Sequence, residues 1–214
     1  MSSFPLILSA PSGGGKTTIA KELLKRRIDI GYSVSCTTRP SRPGEVEGRD
    51  YYFLTAIEFE AARYRREFAE SAAVHGYNYG TLRREVDRVL ESGRHVVMDI
   101  DVQGARQFAA AYPESVLVFI MPPDAGVLME RLASRGTESP ESMIRRIESA
   151  VEELRSIDLY GYVVVNADLE RAVNSVSQIV DAEALRISRI DDIRIRVGTM
   201  VSDMERVLEK MKRS

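Results

Sequence analysis

Tryptophan is absent from the 214 residues, and the chain has one cysteine, Cys36, and only two histidines, His75 and His95. A single thiol excludes an internal disulfide and suits a reducing compartment. Neither histidine lies near Cys36 in sequence, so it reads as a small core residue rather than a nucleophile. No run of about eighteen apolar residues occurs, and no charged leader precedes the first short apolar segment. A membrane span and a secretory signal are therefore not expected, and the chain reads as a cytoplasmic protein. A charge excess of one sign is missing too: 30 basic and 32 acidic residues give a net charge of -2, mixed along the chain. That balance excludes a general electrostatic footprint for nucleic acid or membrane, so any phosphate binding has to be local. Internal repeats and low-complexity segments are also lacking.

What is present is concentrated near the start. The apolar run Phe4-Pro-Leu-Ile-Leu-Ser9 leads into Ala10-Pro11-Ser12-Gly13-Gly14-Gly15-Lys16-Thr17-Thr18. A strand, a glycine-rich turn, then a lysine and a hydroxyl opening a helix is the arrangement that wraps a polyphosphate. Small residues let successive main-chain N–H groups turn inward, the helix adds its positive end, Lys16 brings a mobile charge and Thr17 offers a hydroxyl to Mg²⁺. The usual pattern begins with glycine. Here Ala10 stands first, which the turn tolerates provided its φ is negative.

Beyond this loop the chain alternates strand and helix, which predicts an α/β parallel sheet with right-handed crossovers. A helix is expected from about Thr17 to Arg27, an extended segment at Ser33–Ser35, a long polar loop from Cys36 to Arg49, and a strand at Tyr51–Leu54. Residues 66–80 read as irregular short strands. His95-Val-Val-Met-Asp99, Ser115–Met121 and Tyr162–Val165 have the continuous apolar character of strands buried on both faces. Asp99 ends one of them, where open α/β sheets bind ligands and phosphate-loop enzymes place an acid for the Mg²⁺ shell. In the polar loop, Arg39 and Arg42 are three apart on a segment stiffened by prolines and can converge on one phosphate with planar donors.

Together these segments are similar to guanylate kinases. The resemblance rests on the phosphate loop, on Ser35-Cys-Thr-Thr-Arg39 through Arg42, Gly44-Glu45, Gly48 and Asp50-Tyr51, on Met98-Asp-Ile-Asp-Val-Gln-Gly104, on Arg135-Gly-Thr-Glu138 and on Val163-Val-Val-Asn166, in order over about residues 4–185. It implies transfer of the γ-phosphoryl group of MgATP to GMP, and to dGMP, in purine nucleotide metabolism and GMP recycling. It also implies three parts: a phosphate-loop core made of 1–32, 91–123 and 155–214, a small mixed α/β GMP-binding insertion at 33–90, and a helical lid at 124–154. Residue by residue, Arg39, Arg42, Tyr51 and Tyr79 match positions that hold the GMP phosphate. Ser35 and Thr81 match donors to guanine O6/N7, and Glu70 and Asp101 match carboxylates that accept from N1–H and the 2-amino group. Adenine offers an acceptor at N1 and no 2-amino group, so it would leave those acids unpaired, a mismatch that discriminates by about 10⁴ or more.

Lys16 is expected to bridge the ATP phosphates, with Mg²⁺ at Thr17 and, through water, at Asp99. Arg131, Arg135 and Arg146 are expected to bring lid cations, and Asn166 to contact the adenine region, where Gly161 and Ala167 depart from the family's commoner acids. Two rivals are a phosphate-loop kinase acting on a ribose phosphate, which has no use for Glu70, Asp101 and Thr81 together, and a non-catalytic scaffold of the same fold, which lacks a working phosphate loop. In the tail, 186–214, Val197, Met200, Val201, Met204, Leu208 and Met211 recur at three and four and give one helix face an apolar stripe. Packing on its own core is the expected use; a homo-oligomer through this helix, or another partner, is the alternative.

Overall fold

A computed structural model describes residues 2–74, 76–133 and 140–213. Five strands form one sheet: β1 (Pro5–Ser9), β2 (Ile30–Tyr32), β7 (His95–Asp99), β8 (Val116–Met121) and β9 (Tyr162–Val165), in the order β2-β7-β1-β8-β9. Every pairing in it is parallel. Parallel strands need crossovers that cover both faces, and β1 shows the consequence residue by residue. Leu6 and Leu8 point into a layer formed with Ile19 and Leu23 of α1 (Lys16–Arg26) and Val173, Val176 and Val180 of α7 (Leu169–Ala184). Ile7 points the other way, toward Val86 and Val89 of α3 (Arg83–Glu91) and Ala105 and Phe108 of α4 (Val102–Ala111).

A second sheet has the order β4-β3-β6-β5, from β3 (Ser35–Thr37), β4 (Tyr52–Phe53), β5 (Phe68–Val74) and β6 (Tyr77–Leu82). Its apolar face closes on α2 (Ala56–Tyr64) through Cys36, Phe59, Ala62, Phe68 and Leu82. Thr55 and Glu58 start that helix with a reciprocal capping box. The sheet is fastened to the core by α4, where the Gln107 side chain exchanges hydrogen bonds with Ser71 N–H and C=O at 3.1 and 3.0 Å. The helices α5 (Ala125–Ala133) and α6 (Pro140–Arg155) pack together through Leu128, Leu132 and Ala150.

Three sequence expectations need correction. Residues 66–80 are not irregular: β5 and β6 make a regular antiparallel hairpin with one shift between Phe68 and Glu70. The alternation was obscured because two polar residues on it, Glu70 and Thr81, are buried. The extended segment placed at Ser33–Ser35 is instead the link between two strands, β2 ending at Tyr32 and β3 starting at Ser35, one in each sheet. Gly31 lies inside β2, where a Cβ would stand 2.6 Å from Val89 Cγ1 and block α3 from approaching. Finally, α8 (Ile193–Arg213) does not pack on the core, because none of its residues is buried and its apolar stripe is exposed from Val197 to Met211. Among the described residues no helix is long and apolar enough to cross a membrane.

Candidate nucleotide site

The phosphate loop leaves the carboxyl end of the central strand and turns back into α1 at Gly15, the helix N-cap. Gly13 and Gly15 sit at φ of 86° and 94°, where a Cβ is strained, while Ala10 is not among the positive-φ residues. Ala10 replaces the usual glycine without cost to the loop because Gly14 faces it: a Cβ on Gly14 would stand 2.7 Å from the Ala10 methyl. Gly14 N–H donates to the Pro11 carbonyl at 2.7 Å and closes the turn. Asn166, just past β9, holds the same loop from outside. Its side-chain amide donates to the Gly14 carbonyl at 2.9 Å, its own N–H donates to Met121 at 2.8 Å, and its carbonyl accepts from Arg131 at 3.0 Å. The expectation that Asn166 contacts adenine is therefore joined by a bracing role that the sequence did not reveal.

Asp99 stands beside the loop at the end of β7. Its two carboxylate oxygens accept from Thr17 Oγ1 at 2.5 Å and from Tyr32 OH at 3.2 Å. Asp99 caps no helix; that role belongs to Asp101, whose carboxylate accepts Gly104 N–H at 2.7 Å. A hydroxyl and a carboxylate in contact form an oxygen-only donor pair. That suits Mg²⁺, which keeps most of its waters and takes its remaining ligands from phosphate. Among the described residues no three-residue His/Cys/Asp/Glu cluster offers a softer or fully protein-bound metal site.

The second sheet carries the other half. Its register sets Ser35 opposite Thr81, and Thr81 opposite Glu70, so three side chains expected to read a base lie in one cross-strand row. Thr81 Oγ1 donates to Glu70 Oε1 at 2.7 Å, with Glu70 6% exposed and Thr81 fully buried. Burial, and then the charge of Asp101, push the Glu70 carboxyl up to about 7 against the Thr81 hydrogen bond. The two acids meet over Gly104: a Cβ there would be 2.9 Å from Glu70 Oε2 and 3.4 Å from Asp101 Oδ1. Only a residue without a side chain leaves both carboxylates in place.

Arg39 is nearly buried, with its guanidinium 5.4 Å from the centre of the Tyr51 ring, and Tyr51 meets Tyr79 edge-on at 6.1 Å. Its fork is held by Glu45 at 2.8 and 3.0 Å, which raises its pKa further. Arg42 donates its main-chain N–H to Glu45 at 2.8 Å while its side chain is exposed, so one carboxylate holds both the Arg39 fork and the Arg42 main chain. Glu45 was legible only as part of the loop's pattern and carried no expected role. On the lid, Arg146 donates to the Leu132 carbonyl at 3.1 Å and lies 3.5 Å from Ser12 Oγ. Arg135 lies outside the described residues.

A cleft of about 510 Å³ runs along Ser12–Thr18 and is closed by Arg146 and Glu153 of α6 and by Asp101. Glu70, Arg39 and Tyr51 do not line it, whereas Asp101, beside the base-facing row, does. Cys36 is buried and its thiol is pushed up to about 12, as suits a core residue. His95 serves the core too, accepting Phe4 N–H at 3.3 Å.

A family model described as guanylate kinase matches residues 2–183. Guanylate kinases of Thermotoga maritima and Symbiobacterium thermophilum are 46% and 47% identical over 186 and 184 residues, covering 87% and 86% of this chain and 90% and 87% of theirs. The crystal structure of guanylate kinase from Anaplasma phagocytophilum superposes with a TM-score of 0.76 at 34% identity, covering 92% of this chain and 95% of that one.

Proposed function

The chain belongs to the guanylate kinase family, and from that premise we propose that its two half-sites carry out ATP + GMP ⇌ ADP + GDP. The observation that carries the residue assignment is the cross-strand row Ser35, Thr81 and Glu70, the last two buried, with Asp101 beside it. Hydroxyls at one end donate to guanine O6 and N7, Thr81 turning its single O–H from Glu70 to the base, and carboxylates at the other accept from N1–H and the 2-amino group. A pyrimidine or adenine leaves these buried groups unpaired. None of these contacts calls on the ribose 2′-hydroxyl, so dGMP is a substrate as well.

Phosphoryl transfer needs alignment and charge neutralisation more than covalent chemistry. Arg39, Arg42, Tyr51 and Tyr79 hold the GMP phosphate. For that, Glu45 keeps Arg39 stretched across the Tyr51 ring until the phosphate arrives. The loop amides of Ser12, Gly13 and 15–18 wrap the ATP phosphates, Lys16 spans the β- and γ-groups, and Arg131, Arg135 and Arg146 approach from the lid. Thr17 and Asp99 are the residues that would hold Mg²⁺, which when bound neutralises the same oxygens. Residues 33–90 and 124–154 close toward the core, excluding water and bringing the half-sites together. A single thiol, buried, fits a reducing compartment, and a cytoplasmic location is part of this reading.

An ADP-release assay with GMP, dGMP, AMP, CMP and UMP as acceptors tests it. Turnover with GMP and dGMP alone is expected; AMP turned over as well as GMP would remove the base assignment.

A further inference from the structure

Two side chains of α6 meet a single residue of the phosphate loop. Arg146 lies 3.5 Å from Ser12 Oγ, and Glu153, seven residues on and so on the same helix face, accepts Ser12 N–H on Oε2 at 3.1 Å. The second contact is unexpected in sign. This loop has main-chain donors, a helix N-terminus and Lys16, all arranged for phosphate oxygens, and a carboxylate from the lid has taken one of the donors. Burial disfavours the ionised form of Glu153, the Ser12 amide and Lys16 favour it, and Asp101 opposes it. An acid in this place repels a triphosphate that carries about four negative charges. Nothing in the reaction as derived above gives Glu153 a part to play.

Resting on ATP as the donor, we propose that Glu153 is a positioning residue that stands in for nucleotide at the mouth of the phosphate loop. With the site empty it satisfies Ser12 N–H and ties the lid helix to the loop. Arrival of the triphosphate displaces it, and after transfer it returns and helps ADP leave. The affinity of the site for ATP and ADP is thereby held down by the protein's own charge, and the lid's attachment to the loop depends on whether nucleotide is present.

The sign of one substitution decides. Glu153→Gln keeps the size and an acceptor oxygen for Ser12 N–H and removes only the charge. Calorimetric titration of the full chain is expected to give ATP and ADP dissociation constants lower by about fivefold at low salt, with the gain shrinking at high salt and GMP affinity unchanged. Stopped-flow release of ADP should slow by a similar factor. A simple structural brace gives the opposite result, because disturbing it loosens the loop and weakens ATP binding. Glu153→Ala removes the acceptor as well; tighter ATP binding than wild type supports a displaced anion, and weaker binding overturns it. Unchanged or weaker binding by a Glu153→Gln protein that melts at the wild-type temperature overturns the inference alone. A wild-type protein that binds no ATP, or does not phosphorylate GMP, overturns the function proposed above instead.

Discussion

Thr81 Oγ1 donates to Glu70 Oε1 at 2.7 Å inside the second sheet, and the carboxyl it serves is pushed up to about 7 by burial. Its folded pKa lies above the unfolded value of 4.5. The native state therefore holds this proton more tightly than the unfolded chain, and the stability it contributes is complete below pH 4.5 and lost as pH rises to about 7. On the proposed assignment nucleotide binding runs the other way, because guanine N1–H and the 2-amino group need the ionised acid. KM for GMP is expected to rise about tenfold per pH unit below 7 and to level off above it. Asp101 and Thr81 are the groups facing this carboxyl, and Glu70→Gln should abolish the GMP effect while stabilising the empty protein at pH 8 by about 1–3 kcal/mol. A pH-independent KM in the wild type would refute the assignment.

Asp99 takes its hydrogen bonds from two hydroxyls, Thr17 and Tyr32, at the edge of the phosphate loop. Asp99→Asn keeps the shape but loses the charge that draws Mg²⁺. Steady-state kinetics should show kcat lower by about 10²–10³ with GMP affinity, measured by titration, unaltered. A matching loss of GMP affinity would mean that the substitution had disturbed the fold instead.

Asn166 holds the loop through the Gly14 carbonyl. Asn166→Ala leaves that carbonyl without its partner, at a stability cost of about 1–3 kcal/mol in a denaturant titration. KM for ATP should rise more than KM for GMP, since the slackened segment is the donor's.

Gly15→Ala tests the same contact from the other side. The new methyl would land on Asn166 Nδ2, and φ of 94° is strained for any side chain. Loss of about 1–3 kcal/mol of stability is expected, together with loss of ATP binding. Gly44→Ala is the control. It has a similarly positive φ of 89° but no atom within 4 Å of its Cβ, so it pays for backbone strain alone and leaves ATP binding intact.

No residue of α8 is buried, so deleting 193–213 should leave the melting temperature and kcat within experimental scatter. A large drop in melting temperature, accompanied by a change in oligomeric state on gel filtration, would show that the stripe from Val197 to Met211 is covered in solution.

Much of this was readable in advance where the information is local. The phosphate loop declares itself because strand, glycines, lysine and hydroxyl follow one another within the span from Phe4 to Thr18. The central strands were legible because burial on both faces leaves continuous apolar runs. The hairpin of β5 and β6 was not, since a buried acid and a buried hydroxyl break the alternation that marks a strand. The unpacked α8 was misjudged for a related reason: an apolar stripe says that a helix wants a partner and carries no address for it.

The order of residues by itself determined the family, the parallel-sheet core and the phosphate loop. Folding alone decided which carboxylate meets which donor. Glu153 reaches Ser12 across 141 positions, Thr17 meets Asp99 across 82, and Asn166 reaches Gly14 across 152. Such pairs depend on how helices and sheets are set against one another, and the packing that sets them is built from side chains spread over the whole chain. A loop's own geometry is written in consecutive residues; the contacts that brace and occupy it are not.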